Sequence, residues 1–285
     1  MCDWCLQHGE GKKWYLNVNN YVKKFDEMED WLKEWNSNYR DVQSQLWGPI
    51  SAEVDILKSR LSPRLEKLAD MDWETGFSQY HSGQVATLDE CKEMVKVAGD
   101  TGGVVRLACT CRKYKRGGKY IGPENTLCLG ISAYASMYHE HPERIWKEHK
   151  IQTVSTEEAM EHLENCSEKG MVHNASYVGS PAYMSKICNC EYPVCVWLQW
   201  RLDWGLTGIL KKGHYVADLD MDKCNGCGEC ISSCQFKAIN FSPTYEKAIL
   251  KEDRCFGCGQ CSFVCPQNAI KMVDRELSPA LKEDW

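Results

Sequence analysis

The chain has no G-x-G-x-x-G following a strand pattern and no P-loop, so no recognised cradle for a nicotinamide, flavin or nucleotide phosphate is present. Basic residues are not in excess either. Lys and Arg number 34 against 40 Asp and Glu, a formal charge of −6, and they are scattered, which excludes the cationic field that a nucleic-acid backbone requires. Long apolar runs are also missing. The most apolar stretch, Val194 to Leu210, is interrupted by Gln199, Arg201 and Asp203, which a membrane-spanning helix rarely tolerates at its centre. Met1-Cys2-Asp3-Trp4-Cys5 lacks the charged region and apolar run of a signal peptide, so a reducing cytoplasm is the expected compartment.

Cysteine, by contrast, is abundant, with 18 in 285 residues. That length predicts more than one core. From Tyr21 to about Trp47, Val22, Phe25, Met28, Trp31, Leu32 and Trp35 recur at helical spacing; Gly48-Pro49 ends the pattern, and a second begins at Ser51. Residues 1–71 therefore read as an N-terminal helical hairpin whose aromatic stripe serves packing or docking. Residues 72–215 read as a small cysteine-rich α+β domain. Thr87 with Glu90 and Ser155 with Glu158 have capping-box spacing and predict helices over Leu88 to Ala98 and Thr156 to Cys166. Strands are expected at Val104 to Cys111, Gly170 to Asn174 and Ser185 to Cys190, with a glycine-rich basic loop near Lys113 to Lys119.

Residues 216–285 contain an internal repeat. Cys224, Cys227, Cys230 and Cys234 recur 31 residues later as Cys255, Cys258, Cys261 and Cys265, and Ala238-Ile239 recurs as Ala269-Ile270. Each copy reads C-x2-C-x2-C-x3-C, a spacing in which three thiolates wrap one corner of a cubane and the fourth reaches a second cluster. Gly226, Gly228, Gly257 and Gly259 stand between these cysteines, where the loop must turn tightly. Two zinc knuckles would need paired ligands and no such triplet.

This pattern closely resembles the bacterial two-[4Fe–4S] ferredoxin motif. The resemblance implies a crossed arrangement: Cys224, Cys227, Cys230 and Cys265 for one cluster, Cys255, Cys258, Cys261 and Cys234 for the other. Pro266 follows the last ligand as the motif expects, whereas Gln235 stands at the equivalent place in the first copy.

Ten cysteines lie outside the repeat. Cys109 and Cys111, and Cys188 and Cys190, form C-x-C pairs that a strand's period of two would present on one face, so both pairs converging on one metal is the expectation. Cys128, Cys195 and His173 are alternates, and buried reduced thiols are the competing reading. Cys2, Cys5 and His8 have C-x2-C-x2-H spacing, three metal-type ligands that need at least one more from elsewhere. Cys91 and Cys166 have no general base beside them in the pattern and are expected to do no chemistry. With the repeat, this upstream stretch resembles a group of 4Fe–4S-binding proteins of anaerobes sharing a C-x-C, a Val-His segment and a C-N-C run; here Glu191-Tyr192-Pro193-Val194 separates Cys190 from Cys195.

The expected fold is α+β: helical hairpin, cysteine-rich domain, two-cluster ferredoxin-type domain. The expected function is that of an iron–sulfur electron-transfer subunit of an anaerobic oxidoreductase complex, with two [4Fe–4S] clusters, a third cluster or zinc in the middle domain, and a redox partner protein. The alternative is an iron–sulfur reductase whose third metal centre is catalytic.

Overall fold

The computed structural model describes residues 5, 6, 9, 13–21, 83–109, 111–112, 127–132, 135–136, 151–178, 183–203 and 210–285. The expected helical hairpin, with Trp31 and Trp35, and the basic loop at 113–119 lie outside these residues, as do Cys2 and His8. Helices and strands are mixed. Among the described residues no helix is long and apolar enough to cross a membrane.

Two capped helices build one layer. Thr87 Oγ1 accepts from the Glu90 amide at 3.3 Å while Glu90 Oε2 accepts from the Thr87 amide at 2.8 Å, which satisfies orphan donors at the start of α1 (Leu88–Thr101). Ser155 and Glu158 do the same for α2 (Thr156–Glu168). Both helices run two or three residues beyond their expected ends, where Thr101 and Ser167 are buried. Cys91, Met94, Val95 and Ala98 of α1, and Ala159, Leu163 and Cys166 of α2, are buried at helical spacing.

They cover one face of a seven-stranded sheet ordered β4-β2-β3-β6-β5-β1-β7. Its strands are β1 (Gly83–Ala86), β2 (Val104–Leu107), β3 (Cys128–Ile131), β4 (Gln152–Val154), β5 (Val172–Val178), β6 (Tyr183–Cys190) and β7 (Leu210–Lys211). All neighbours are antiparallel except β1 and β7. Alternation assigns the two faces to different neighbours. Ala86, Val104, Leu129, Ile131, Ala175 and Ile187 pack with the helices. Val85, Val105, Leu107, Cys128, Val172, Cys188 and Cys190 pack on the other side, with α3 (Val196–Leu202) and with Phe236 and Phe256 of the C-terminal segment. Trp14 and Tyr15, fully buried, join the helix side, so this part of the N-terminal segment belongs to the core.

The C-terminal segment pairs β8 (Tyr215–Leu219) with β11 (Ile270–Asp274), and β9 (Ile239–Ser242) with β10 (Lys247–Leu250); α4 (Glu229–Ser233) and α5 (Gln260–Val264) touch. Arg275, with no exposed surface, donates to the carbonyls of Gly213 (2.9 Å), Tyr215 (3.1 Å) and Cys255 (2.8 Å), and so ties the segment entering β8 to the chain leaving β11.

One expectation is corrected. The strand at Val104 ends at Leu107, and Cys111 with Arg112 begins a helical turn, so Cys109 and Cys111 are not a strand pair. The β2 ladder stops where its partners do: Leu107 faces Cys128, the first residue of β3.

Candidate metal centres

Eight thiols of the C-terminal segment fall into two quartets. Cys224, Cys227, Cys230 and Cys265 line one small cavity. Cys234, Cys255, Cys258 and Cys261 line another. Each quartet takes three cysteines from one copy of the repeat and the fourth from the other.

The loops that hold them owe their shape to glycine. Gly226 (φ 74°) and Gly257 (φ 74°) are left-handed, and a Cβ there would lie 2.2 Å from the Glu246 carbonyl oxygen and 2.1 Å from that of Tyr215 respectively. Backbone donors then point at sulfur. The amides of Ala238 and Ala269 lie 3.3 Å from Cys234 Sγ and Cys265 Sγ, the same contact in both copies, and the Ala217 amide lies 3.4 Å from Cys255 Sγ. Without cations, burial and neighbouring thiols disfavour ionisation: Cys230 is pushed up to about 11 by burial, with Cys224, Cys227 and Cys265 adding to it. Burial likewise raises Cys258 to about 12, helped by Cys255 and Cys234. Four thiols around a small cavity, with N–H groups aimed at them, form a donor set that fits a cubane.

Residues 217–272 match the 4Fe-4S dicluster domain family. The match spans both quartets and stops short of the sheet. No curated protein matches the chain.

The dicluster domain sits against the thiol-bearing face of the sheet. Phe236 and Phe256 stack at 4.2 Å with their planes 6° apart, and both belong to the apolar cluster that holds Cys188, Cys190 and Cys195. Cys234 and Cys258 border the same apolar cluster. Gln260, on α5, donates to the Met171 carbonyl at 2.7 Å.

On that face six thiols gather into a ring of electrostatic neighbours. Cys109 is influenced by Cys111 and Cys128, Cys188 by Cys128 and Cys190, and Cys195 by Cys190 and Cys111. The Cys190 and Cys195 sulfurs are 3.2 Å apart. Sheet order explains the closure: β3 pairs with β6, which sets Cys128 beside Cys188, and Cys190 follows two residues on along the same face. The turn after β6 returns Cys195, whose amide donates to the Glu191 carbonyl at 2.7 Å. All six are buried.

The ring thiols are shifted in opposite directions by their neighbours. Cys109 is held well below its ordinary value by hydrogen bonds from Cys111 and Cys128, and Cys188 by those from Cys128 and Cys190. Cys195, raised by burial but lowered further by Cys111 and Cys190, settles at about 5. Cys111, Cys128 and Cys190 are raised well above the ordinary value by the neighbouring thiols and by burial.

His173 is placed elsewhere. It pairs across the ladder with Asn189 on the opposite face, where Nδ1 lies 2.6 Å from Asn189 Oδ1 and Nε2 lies 2.7 Å from Ser167 Oγ. Burial lowers it to about 4. Cys5 Sγ lies 3.0 Å from His214 Nε2, whose Nδ1 is 3.2 Å from the Tyr15 hydroxyl. No spacing in the sequence links Cys5 to His214; their meeting depends on the N-terminal segment folding back over the junction before β8. Cys91 and Cys166 are buried on the helix layer, both raised by burial, Cys166 to about 11.

Proposed function

We propose that this protein is an iron–sulfur electron carrier that works as a subunit of an oxidoreductase complex. The observation that carries the reading is the pair of crossed thiol quartets. Cys224, Cys227, Cys230 and Cys265 would hold one [4Fe–4S] cluster, and Cys234, Cys255, Cys258 and Cys261 the other. When bound, such clusters take up and give back one electron at a time.

The residues around them do three things. Backbone amides at Ala217, Ala238 and Ala269 donate to sulfur, which favours the more negative, reduced state. Arg275 adds a buried cation beside Cys255, for which the other quartet has no counterpart among the described contacts. The Phe236–Phe256 stack keeps water from the face that meets the sheet. Cys227 is exposed, and Phe241, beside Gly226, and Tyr245 present exposed rings on the same hairpin side, which suits docking of a partner there. Trp31 and Trp35 are the further docking residues read from the sequence.

The alternative, a reductase acting on a small molecule, has one observation in its favour. A cavity of about 460 Å³ opens beside Phe236 and Phe256 and is lined also by Arg201, Lys212, Lys237 and Arg254, which outnumber its two carboxylates, Asp203 and Asp253. An organic anion would suit it. Anaerobically purified protein should contain about eight irons for the dicluster domain alone. Fewer than about six after reconstitution, or zinc in their place, rejects the carrier reading; turnover of an anionic substrate by the chain alone would favour the alternative.

A further inference from the structure

We infer that Cys109, Cys111, Cys128, Cys188, Cys190 and Cys195 together are the ligands of one additional polynuclear iron–sulfur centre. The inference rests on the reading of this chain as an iron–sulfur carrier and adds a terminus to its chain of centres.

Three observations carry it. The first is convergence: all six thiols are buried in one apolar cluster, the pairing of β3 with β6 sets Cys128 beside Cys188, and the Cys190 and Cys195 sulfurs lie 3.2 Å apart. A lone zinc ion takes four ligands. Six thiols gathered in one place are too many for a single tetrahedral site and suit a polynuclear centre.

The second is an unspent polar group. Asn174 is 1 % exposed, and neither its Oδ1 nor its Nδ2 has a hydrogen-bond partner. It lies directly across the ladder from Cys188, on the thiol face, with its amide over Gly83. An orphaned buried amide is costly, on the order of 1–3 kcal/mol. Turned from Gly83 toward β6, its N–H groups would donate to a bridging sulfide.

The third is position. The ring shares its apolar shell with Cys234 and Cys258 of the dicluster domain, and Gln235 lies 3.4 Å from the Cys190 carbonyl. A redox centre there would stand next to the second quartet, and a zinc core would leave that contact without use. Ligation forms an S–Fe bond at each sulfur and releases to solvent the proton of every one that is still a thiol.

The test is metal analysis of the full chain, reconstituted anaerobically with iron and sulfide. Iron and acid-labile sulfide should exceed the roughly eight of two cubanes. Each of the six Cys→Ser variants should lose that excess and keep about eight. Asn174→Leu should keep the iron but shift the reduction potential of the excess centre. The inference is overturned if wild-type protein holds only about eight irons, if any two of the six variants retain the excess, or if the excess metal is zinc. These outcomes need no ring variant to fold, since the wild-type count alone decides the first and third. Failure of the underlying carrier reading looks different: iron would stay unchanged in Cys227→Ser and Cys258→Ser.

Discussion

Gln235 ties the dicluster domain to the thiol-bearing end of the sheet: its Oε1 accepts from the Tyr192 amide at 2.7 Å and its Nε2 donates to the Gly170 carbonyl at 2.6 Å. Proline, the residue expected at this place after the fourth cysteine of a copy, has no amide to make these bonds. The departure from the motif is thus explained by an interface. Gln235→Ala should lower stability by about 1–3 kcal/mol, since two backbone groups lose partners. Chemical denaturation checks this, with iron content of the dicluster domain unchanged.

Cys234→Ala should damage the centre built mainly by the second copy of the repeat, because Cys234 lines the cavity of Cys255, Cys258 and Cys261. About half of the dicluster iron should become labile, and Cys265→Ala should do the converse. Paired iron counts and electron paramagnetic resonance of the reduced variants distinguish the two. Loss from the quartet of the same copy would refute the crossed sets.

Gly257→Ala places a methyl 2.1 Å from the Tyr215 carbonyl oxygen at a left-handed backbone position. The dihedral alone costs about 1–2 kcal/mol, and the clash adds to it. Purified variant should hold less iron than wild type and lose it faster to a chelator. Gly228, also left-handed but with open space around its Cβ position, should tolerate alanine better.

His173 gives the sheet an acid sensitivity. Burial holds the folded ring near 4, against about 6.5 when unfolded, so the unfolded chain binds a proton that the folded chain refuses. Stability is therefore intact above about 6.5 and falls as pH drops toward about 4, by a total on the order of 3 kcal/mol. His162, lowered by burial, contributes with the same sign. Unfolding midpoints measured from pH 7.5 to 5 should fall less steeply in His173→Gln; an unchanged slope would refute the assignment.

Three cysteines of each quartet were legible in the sequence because they sit within a few residues of one another; the fourth, from the other copy of the repeat, was legible only through the resemblance to the ferredoxin motif. The two capping boxes were legible through the same closeness in sequence. The ring was only half so. Cys188 and Cys190 follow the strand period, but Cys109 and Cys111 meet their partners from a loop and a helical turn, and Cys128 and Cys195 arrive through sheet order and a turn. Strands β1, β3, β4 and β7 are two to four residues long and too short for alternation to register. His173 looked like a ligand only because it stands between cysteines in sequence; the same period of two turns it to the other face. His214, Gln235 and Asn174 belong to no motif and gain meaning from tertiary placement.

Cys227 is exposed while all six ring thiols are buried behind the dicluster domain. Dioxygen or peroxide arriving from solvent would meet the first quartet before anything deeper. Oxidative damage should therefore proceed inward in a fixed order, with the outermost centre acting as a sacrificial guard and the ring surviving longest. The same geometry means that a partner seated over Cys227 would shield the molecule as well as draw current from it.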